Sequence, residues 1–273
     1  GGALPMKHQI VLKGHSKTVT CVALDRAGGR LATGSSDYSV RLWDFGGMTS
    51  ELRSFRCLEE PIGGYQLRAL DFSPGADYLA VCGSSSQPVI LDRDGHKLTT
   101  LMKGDMYIRD MRTTRGHVAG CTSLQWHPHD GNTLATAAED GTVRLWDAAV
   151  ACERGDDSTS LSVQGGQKGV MVVRDERGIK SVPGALAWHA DGDTILVGAR
   201  DGSLQLWELR APAQYKPVML AKNATPASEV QADKAKAASV ARGAHQPNCD
   251  VSCVRWHRDG YRCASRATDG SLK

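Results

Sequence analysis

Apolar and polar residues alternate along this chain in short runs separated by Gly, Ser, Asp and Pro. This is the pattern of half-buried β-strands joined by tight turns. The runs at 19–24 (VTCVAL), 31–34 and 40–43 are three such strands, with turns at Ala27-Gly28-Gly29 and at Asp37, and residues 52–57 supply a fourth. The order then returns. Residues 67–72, 78–82, 89–91 and 97–102 read as one further set. Residues 121–126, 133–138 and 143–147 open another, and its outer strand is expected at 169–173 (GVMVV). Residues 185–188, 194–199 and 204–208 form a fourth set with an outer strand expected at 217–220, and 251–256 begins a fifth. A short β-like run at 8–12 (HQIVL) precedes them all.

One stretch is written repeatedly. Residues 31–44, LATGSSDYSVRLWD, recur as LATAAEDGTVRLWD at 134–147 and as ILVGARDGSLQLWE at 195–208, and CASRATDGSLK starts a further copy at Cys263. Each complete copy sets an Asp before a Trp at constant spacing: Asp37 and Trp43, Asp140 and Trp146, Asp201 and Trp207. Four antiparallel strands repeated in this way are the signature of a β-propeller blade. The expected fold is therefore all-β, an incomplete propeller of about four and a half blades from a ring of about seven. The blades are expected at 14–57, 65–104, 116–175, 183–221 and 243–273, with 8–13 as the outer strand of the closing blade. Because Asp269 asks for a Trp beyond Lys273, the ring is expected to continue past Lys273 and to have an upstream segment. Two stretches interrupt the repeats and read as surface insertions: 148–168, rich in Gly, Ser and charge, and 223–242, rich in Ala and Lys.

The recurring polar residues read as fastenings. His15, Thr33, Asp37 and Trp43 fit a set in which Asp accepts from His, and a hydroxyl links His to the indole N–H. His117, Thr136, Asp140 and Trp146 repeat the set, and His245, Ser265 and Asp269 begin it again. A buried polar group left unpaired costs about 1–3 kcal/mol, so such a set is expected either whole or wholly replaced. The second unit (SSSQPVILDRDG) lacks both the Asp and the Trp, and the fourth has Val197 for the hydroxyl and no His. A nucleophile with its base is expected once in a chain, not in every repeat, so these residues argue against catalysis and no catalytic residue is assigned. No phosphate-cradling Gly-rich motif follows a strand. His245, Cys249, Cys253 and His257 are evenly spaced, but on a strand that spacing is too wide for one ion, so neither metal nor cofactor is expected.

Gly-His near the start of a unit, then Ser or Thr, Asp, and Trp-Asp, resembles the WD-repeat proteins, whose blades close into a ring. The wording around Tyr38 to Met48, the LDRDG of the second unit, KGDMYIRDM before Gly116-His117, and the final DVSCVRWHRDG resemble, more narrowly, the gastrulation-defective family, that of WD repeat-containing protein 70. That resemblance implies a nuclear, non-catalytic scaffold in a multiprotein or ribonucleoprotein assembly, either late spliceosomal or acting in chromatin and DNA damage through a cullin-type ubiquitin ligase. Trp207 and Arg210, with Glu208 in place of the Asp, resemble the WD-x-R ending with which ligase receptors of the WD-repeat class contact their adaptor. Partners are expected to be other proteins, without sequence-specific RNA contact, membrane or small-molecule substrate. Arg93, Asp94, Tyr107 and Arg109 break the repeat and are the candidate partner surface.

The totals alter this picture little. The chain has 273 residues with a net charge of +3, too small to make nucleic acid or membrane binding the main activity on electrostatic grounds. No apolar run approaches the roughly 20 residues of a helical membrane span. Eight cysteines without a CxxC, several within strand-like runs, read as reduced, buried small hydrophobes.

Overall fold

The structure, a computed structural model, describes residues 10–152, 166–210, 216–217, 239–241 and 244–273. The first sheet comprises β1 (Val19–Leu24), β2 (Arg30–Ser35), β3 (Ser39–Asp44) and β4 (Arg56–Glu59). The second holds β5 (Leu67–Phe72), β6 (Tyr78–Gly83), β7 (Val89–Asp92) and β8 (Lys97–Thr100). In the third, β9 (Cys121–Trp126), β10 (Thr133–Ala138) and β11 (Thr142–Asp147) lead into α1 (Ala148–Cys152) and β12 (Gln167–Val172). The fourth has β13 (Pro183–Trp188), β14 (Thr194–Ala199) and β15 (Leu204–Glu208). β16 (Lys216–Pro217) and β17 (Ser239–Ala241) follow, and then β18 (Val251–Trp256) and β19 (Cys263–Ala267) pair as a hairpin. Every pairing of these strands is antiparallel, with a bulge near the start of each inner strand.

Each sheet packs its face on its successor: β1 lies on β5, β5 on β9, β9 on β13 and β13 on β18. The apolar cores lie between sheets. Ala32, Val40 and Leu42 meet Leu70, Leu79 and Leu91 in one. Ala80 and Ile90 meet Leu124, Leu134 and Trp146 in the next, then Val143 and Leu145 meet Leu186, Ile195 and Trp207. Leu196 and Leu204 pack with Val251 and Val254 in the last. Strand alternation explains the arrangement, because each strand buries both of its faces where two neighbours flank the sheet.

Several boundaries differ from the sequence reading. Ile10–Leu12 form no strand, since no described edge lies beside them, and His8 and Gln9 fall outside the described residues. The stretch from 148 onward is not wholly surface loop: Ala148 and Ala151 of α1 are buried against the second sheet, and β12 begins at Gln167. The outer strand at 217–220 is corrected too. Lys216–Pro217 pairs with β12 of the third sheet, while the outer partner of β15 is Ser239–Ala241, within the presumed second insertion. Residues 218–238 and 153–165 lie outside the described residues. Of the cysteines, Cys82 and Cys121 are buried, but Cys57, Cys253 and Cys263 are exposed.

Candidate interaction surface

The fastenings are built where the turn between the second and third strands of a blade meets the segment entering the first. In the third blade Trp146 Nε1 donates to Thr136 Oγ1 at 2.8 Å, Thr136 Oγ1 lies 2.8 Å from His117 Nε2, and His117 Nδ1 lies 3.0 Å from Asp140 Oδ2. A neutral imidazole with its proton on Nδ1 completes this chain of donors in one direction. Burial pushes the His117 pKa down against the opposing pull of Asp140, so the ring stays neutral. Burial also opposes ionisation of Asp140, but His117, Thr142 and Arg144 outweigh it and hold the carboxyl well below its ordinary range.

The first blade repeats this geometry. Trp43 Nε1 donates to Thr33 at 3.0 Å, Thr33 lies 2.8 Å from His15 Nε2, and His15 Nδ1 lies 3.1 Å from Asp37. In the fifth, His245 bridges Ser265 at 2.8 Å and Asp269 at 3.3 Å. The second and fourth blades depart in opposite ways. The second puts Val81 and Leu91 where Thr and Trp stand, an apolar pair that leaves nothing unpaired. The fourth puts Val197 for the Thr but keeps Trp207, whose indole N–H is buried without a partner. Its set is therefore neither whole nor wholly replaced.

A second kind of fastening joins neighbouring blades. Each inner strand from the third blade on ends in Trp-His; every such Trp reaches back, and His127 and His189 reach forward. Trp126 Nε1 donates to Asp71 O at 3.0 Å, Trp188 Nε1 to Gln125 O at 3.2 Å, and Trp256 Nε1 to Ala187 O at 3.3 Å. His127 Nε2 lies 2.9 Å from Gly192 O, and His189 Nε2 lies 2.9 Å from Gly260 O. Both glycines have positive φ, and a Cβ on either would collide with the His ring. Asp71 sits among these groups. Burial raises its pKa to about 6, although the Trp126 N–H and the charge of Arg255 oppose the shift.

What remains once the fastenings are subtracted is the surface that does not repeat. Arg144 is fully buried, and its guanidinium donates to Thr114 O, Thr114 Oγ1, Met111 O and Gln167 Oε1 at 2.5–2.9 Å. The sequence does not single out this clamp, because the same VRLWD in the first blade leaves Arg41 only half-buried. The clamp ties down residues 111–114, and the loop it anchors presents Met106 (64% exposed) and Tyr107 (88% exposed), with Arg109 exposed beside them. Arg93 and Asp94 belong to another feature. Arg30 Nη1 donates to Arg93 O and Asp94 Oδ1 at 2.6 and 2.8 Å, and Arg56 Nη1 donates to Asp94 O at 2.6 Å. The first blade thus clasps this turn of the second. Arg210 is largely exposed and pairs with Asp193 at 2.6 Å, while Glu208 also has an interaction partner. Among the described residues no three His, Cys, Asp or Glu converge as metal ligands, His245 being held in its fastening.

Comparison with known proteins agrees with this geometry. Residues 6–44, 109–147 and 179–208 match the family described as WD domain, G-beta repeat. The chain is 34% identical over 270 residues to WD repeat-containing protein 70 of Xenopus tropicalis, covering 99% of this chain and 38% of that protein. It is 32% identical over 270 residues to the Gastrulation defective protein 1 homolog of Drosophila melanogaster, covering 99% of this chain and 36% of that one. The β-propeller domain of Myceliophteria thermophila Cps50 (Swd1) superposes with a TM-score of 0.60 at 17% identity, over 93% of this chain and 64% of that one. The chain thus carries WD-type repeats on a β-propeller fold. It spans little more than a third of the length of these WD repeat-containing protein 70 relatives. WD-repeat propellers generally serve as scaffolds that bind other proteins.

Proposed function

We propose that this WD-repeat chain is a non-catalytic scaffold in a nuclear multiprotein or ribonucleoprotein assembly, and that it meets its partner through the loop carrying Met106, Tyr107 and Arg109. One observation carries the reading: an exposed Met-Tyr pair with a neighbouring Arg lies on a loop whose end, at Met111 and Thr114, is tied down by a buried guanidinium. Tyr, Met and Arg are enriched at protein interfaces, and anchoring the loop in advance lowers the entropy lost on binding. The Ser, His and Asp residues capable of chemistry are absorbed blade by blade into hydrogen bonds. The similarity to WD repeat-containing protein 70 supports a role of this kind, and a late spliceosomal complex is the preferred setting. Affinity purification of the full-length protein from nuclear extract, compared with a Tyr107→Ala/Arg109→Glu variant, tests the reading. Selective loss of a co-purifying protein set is expected, and snRNA in the wild-type complex identifies the splicing setting. An unchanged partner set rejects this loop, and an exclusively cytoplasmic full-length protein rejects the nuclear role.

A second reading rests on Arg210, which the Asp193 ion pair holds at the surface just after β15. In that reading the chain is a substrate receptor of a cullin-type ubiquitin ligase, acting in chromatin or the response to DNA damage, and Arg210 touches the adaptor. Arg210→Ala then abolishes adaptor capture while leaving the Tyr107-dependent set intact.

A further inference from the structure

The second blade loses more than its hydrogen bonds. In register with the first and third blades, Val81 stands for Thr33 and Thr136, Leu91 for Trp43 and Trp146, and Val89 for Arg41 and Arg144. Ser85 falls where Asp37 and Asp140 stand, and Gly63 falls where the first blade has His15. A His ring, a carboxylate and an Arg side chain are all replaced by smaller groups at one end of one blade. A cleft of about 400 Å³ opens there, lined by Ile62, Gly63, Ser85, Gln87, Val89 and Thr100, with Lys97 and Lys103 also on its walls.

The chemistry of this cleft is one-sided. No carboxylate lines it, and neither lysine is paired with one among the described residues. Thr100 Oγ1 is buried without a partner. Ser85 Oγ accepts from Gln87 N at 3.2 Å, which leaves its own proton to donate into the cleft. Ammonium groups and hydroxyl donors with no competing anion select an oxygen-rich negative group. The cleft is open at the surface, and half-exposed Tyr65 on its wall offers an aromatic face to flanking chain.

We infer that the cleft left by the missing fastening of the second blade binds an acidic side chain of a partner peptide, a carboxylate or a phosphate ester. The site is separate from the Tyr107 loop and does not rest on that surface being correct. The test titrates short fluorescein-labelled peptide pools, with phosphoserine, Glu or Ser fixed at the centre, against the whole chain. At least one acidic pool is expected to bind about tenfold more tightly than the Ser pool. That preference disappears in Lys97→Glu/Lys103→Glu and in Ser85→Phe, which fills the cleft without altering charge. It survives in Lys13→Glu, which places the same kind of charge change away from the cleft, and in Tyr107→Ala. A phosphoserine pool favoured over the Glu pool assigns a phosphorylated partner; equal binding assigns an acidic one. No preference for either acidic pool overturns the proposal. So does a preference that persists in both cleft variants while their thermal unfolding matches that of the parent.

Discussion

Trp207 shows what a repeat loses when one member of a hydrogen-bonded set changes alone. Its N–H has no acceptor because Val197 occupies the place held by Thr33 and Thr136 in the intact blades. Val197→Thr is expected to stabilise the chain by about 1 kcal/mol in urea denaturation, since it supplies that acceptor. Val81→Thr, the same change facing Leu91 in the second blade, is expected to destabilise it by a similar amount. Asp71 gives a pH-dependent case. Its folded pKa of about 6 lies above the ordinary 3.8, so the native state holds a proton that the unfolded chain releases between those values. Stability is therefore favoured by this group near pH 4 and lost as pH rises through 6, by up to roughly 3 kcal/mol. Asp71→Asn keeps an acceptor for the Trp126 N–H and removes the buried charge. It is expected to raise the melting temperature at pH 8 and to have little effect at pH 4.5; an equal rise at both values would contradict this. His117 acts with the opposite sign. Its lowered pKa means that protons favour the unfolded chain, so the stability its neutral ring provides is lost as pH falls below about 6.5.

At the scale of single elements, short β-branched and apolar runs and turn punctuation located the first three strands of every complete blade, because strands favour such residues and the turns demand Gly or Asp. The outer strands were less legible. Two- and three-residue segments such as β16 and β17 carry no periodicity, and only an available edge of a neighbouring sheet makes them strands. The spacing of His, Ser or Thr, Asp and Trp placed the fastenings on one end of the first, third and fifth blades, since hydrogen-bonded sets tolerate little drift. Arg144 was not legible, as VRLWD reads identically in the first and third blades while only Arg144 is walled in by residues 111–114 and Gln167. Arg144→Leu is expected to cost roughly 3–5 kcal/mol, because it strands the carbonyls of Met111 and Thr114 in a dry interior. Hydrogen exchange in that variant is expected to rise first within residues 105–115, before the strands of the third sheet. Uniform acceleration across the chain would show that Arg144 supports the blade and not the loop.

Across the whole molecule, stability resides between sheets, so each blade depends on its successor in the manner of a repeat array. The Trp-His pairs make that dependence specific. His189 of the fourth blade accepts the edge of its ring against Trp256, with centroids 4.7 Å apart, and meets Gly260 O in the turn of the fifth. Two contributions can be separated. His189→Phe keeps the ring against Trp256 but removes the hydrogen bond, an expected cost of about 1 kcal/mol. His189→Ala removes the aromatic contact as well, and an edge-to-face pair adds about another 0.5–1.5 kcal/mol beyond the area it buries. The localisation is the sharper expectation. Because the fastening joins only two neighbouring blades, either variant should raise hydrogen exchange in β18 and β19 while leaving the first three sheets protected. Loss of protection in the first sheet at the same rate as in β18 would mean that the blades unfold as one unit, and that the Trp-His pairs do not set the boundary between them.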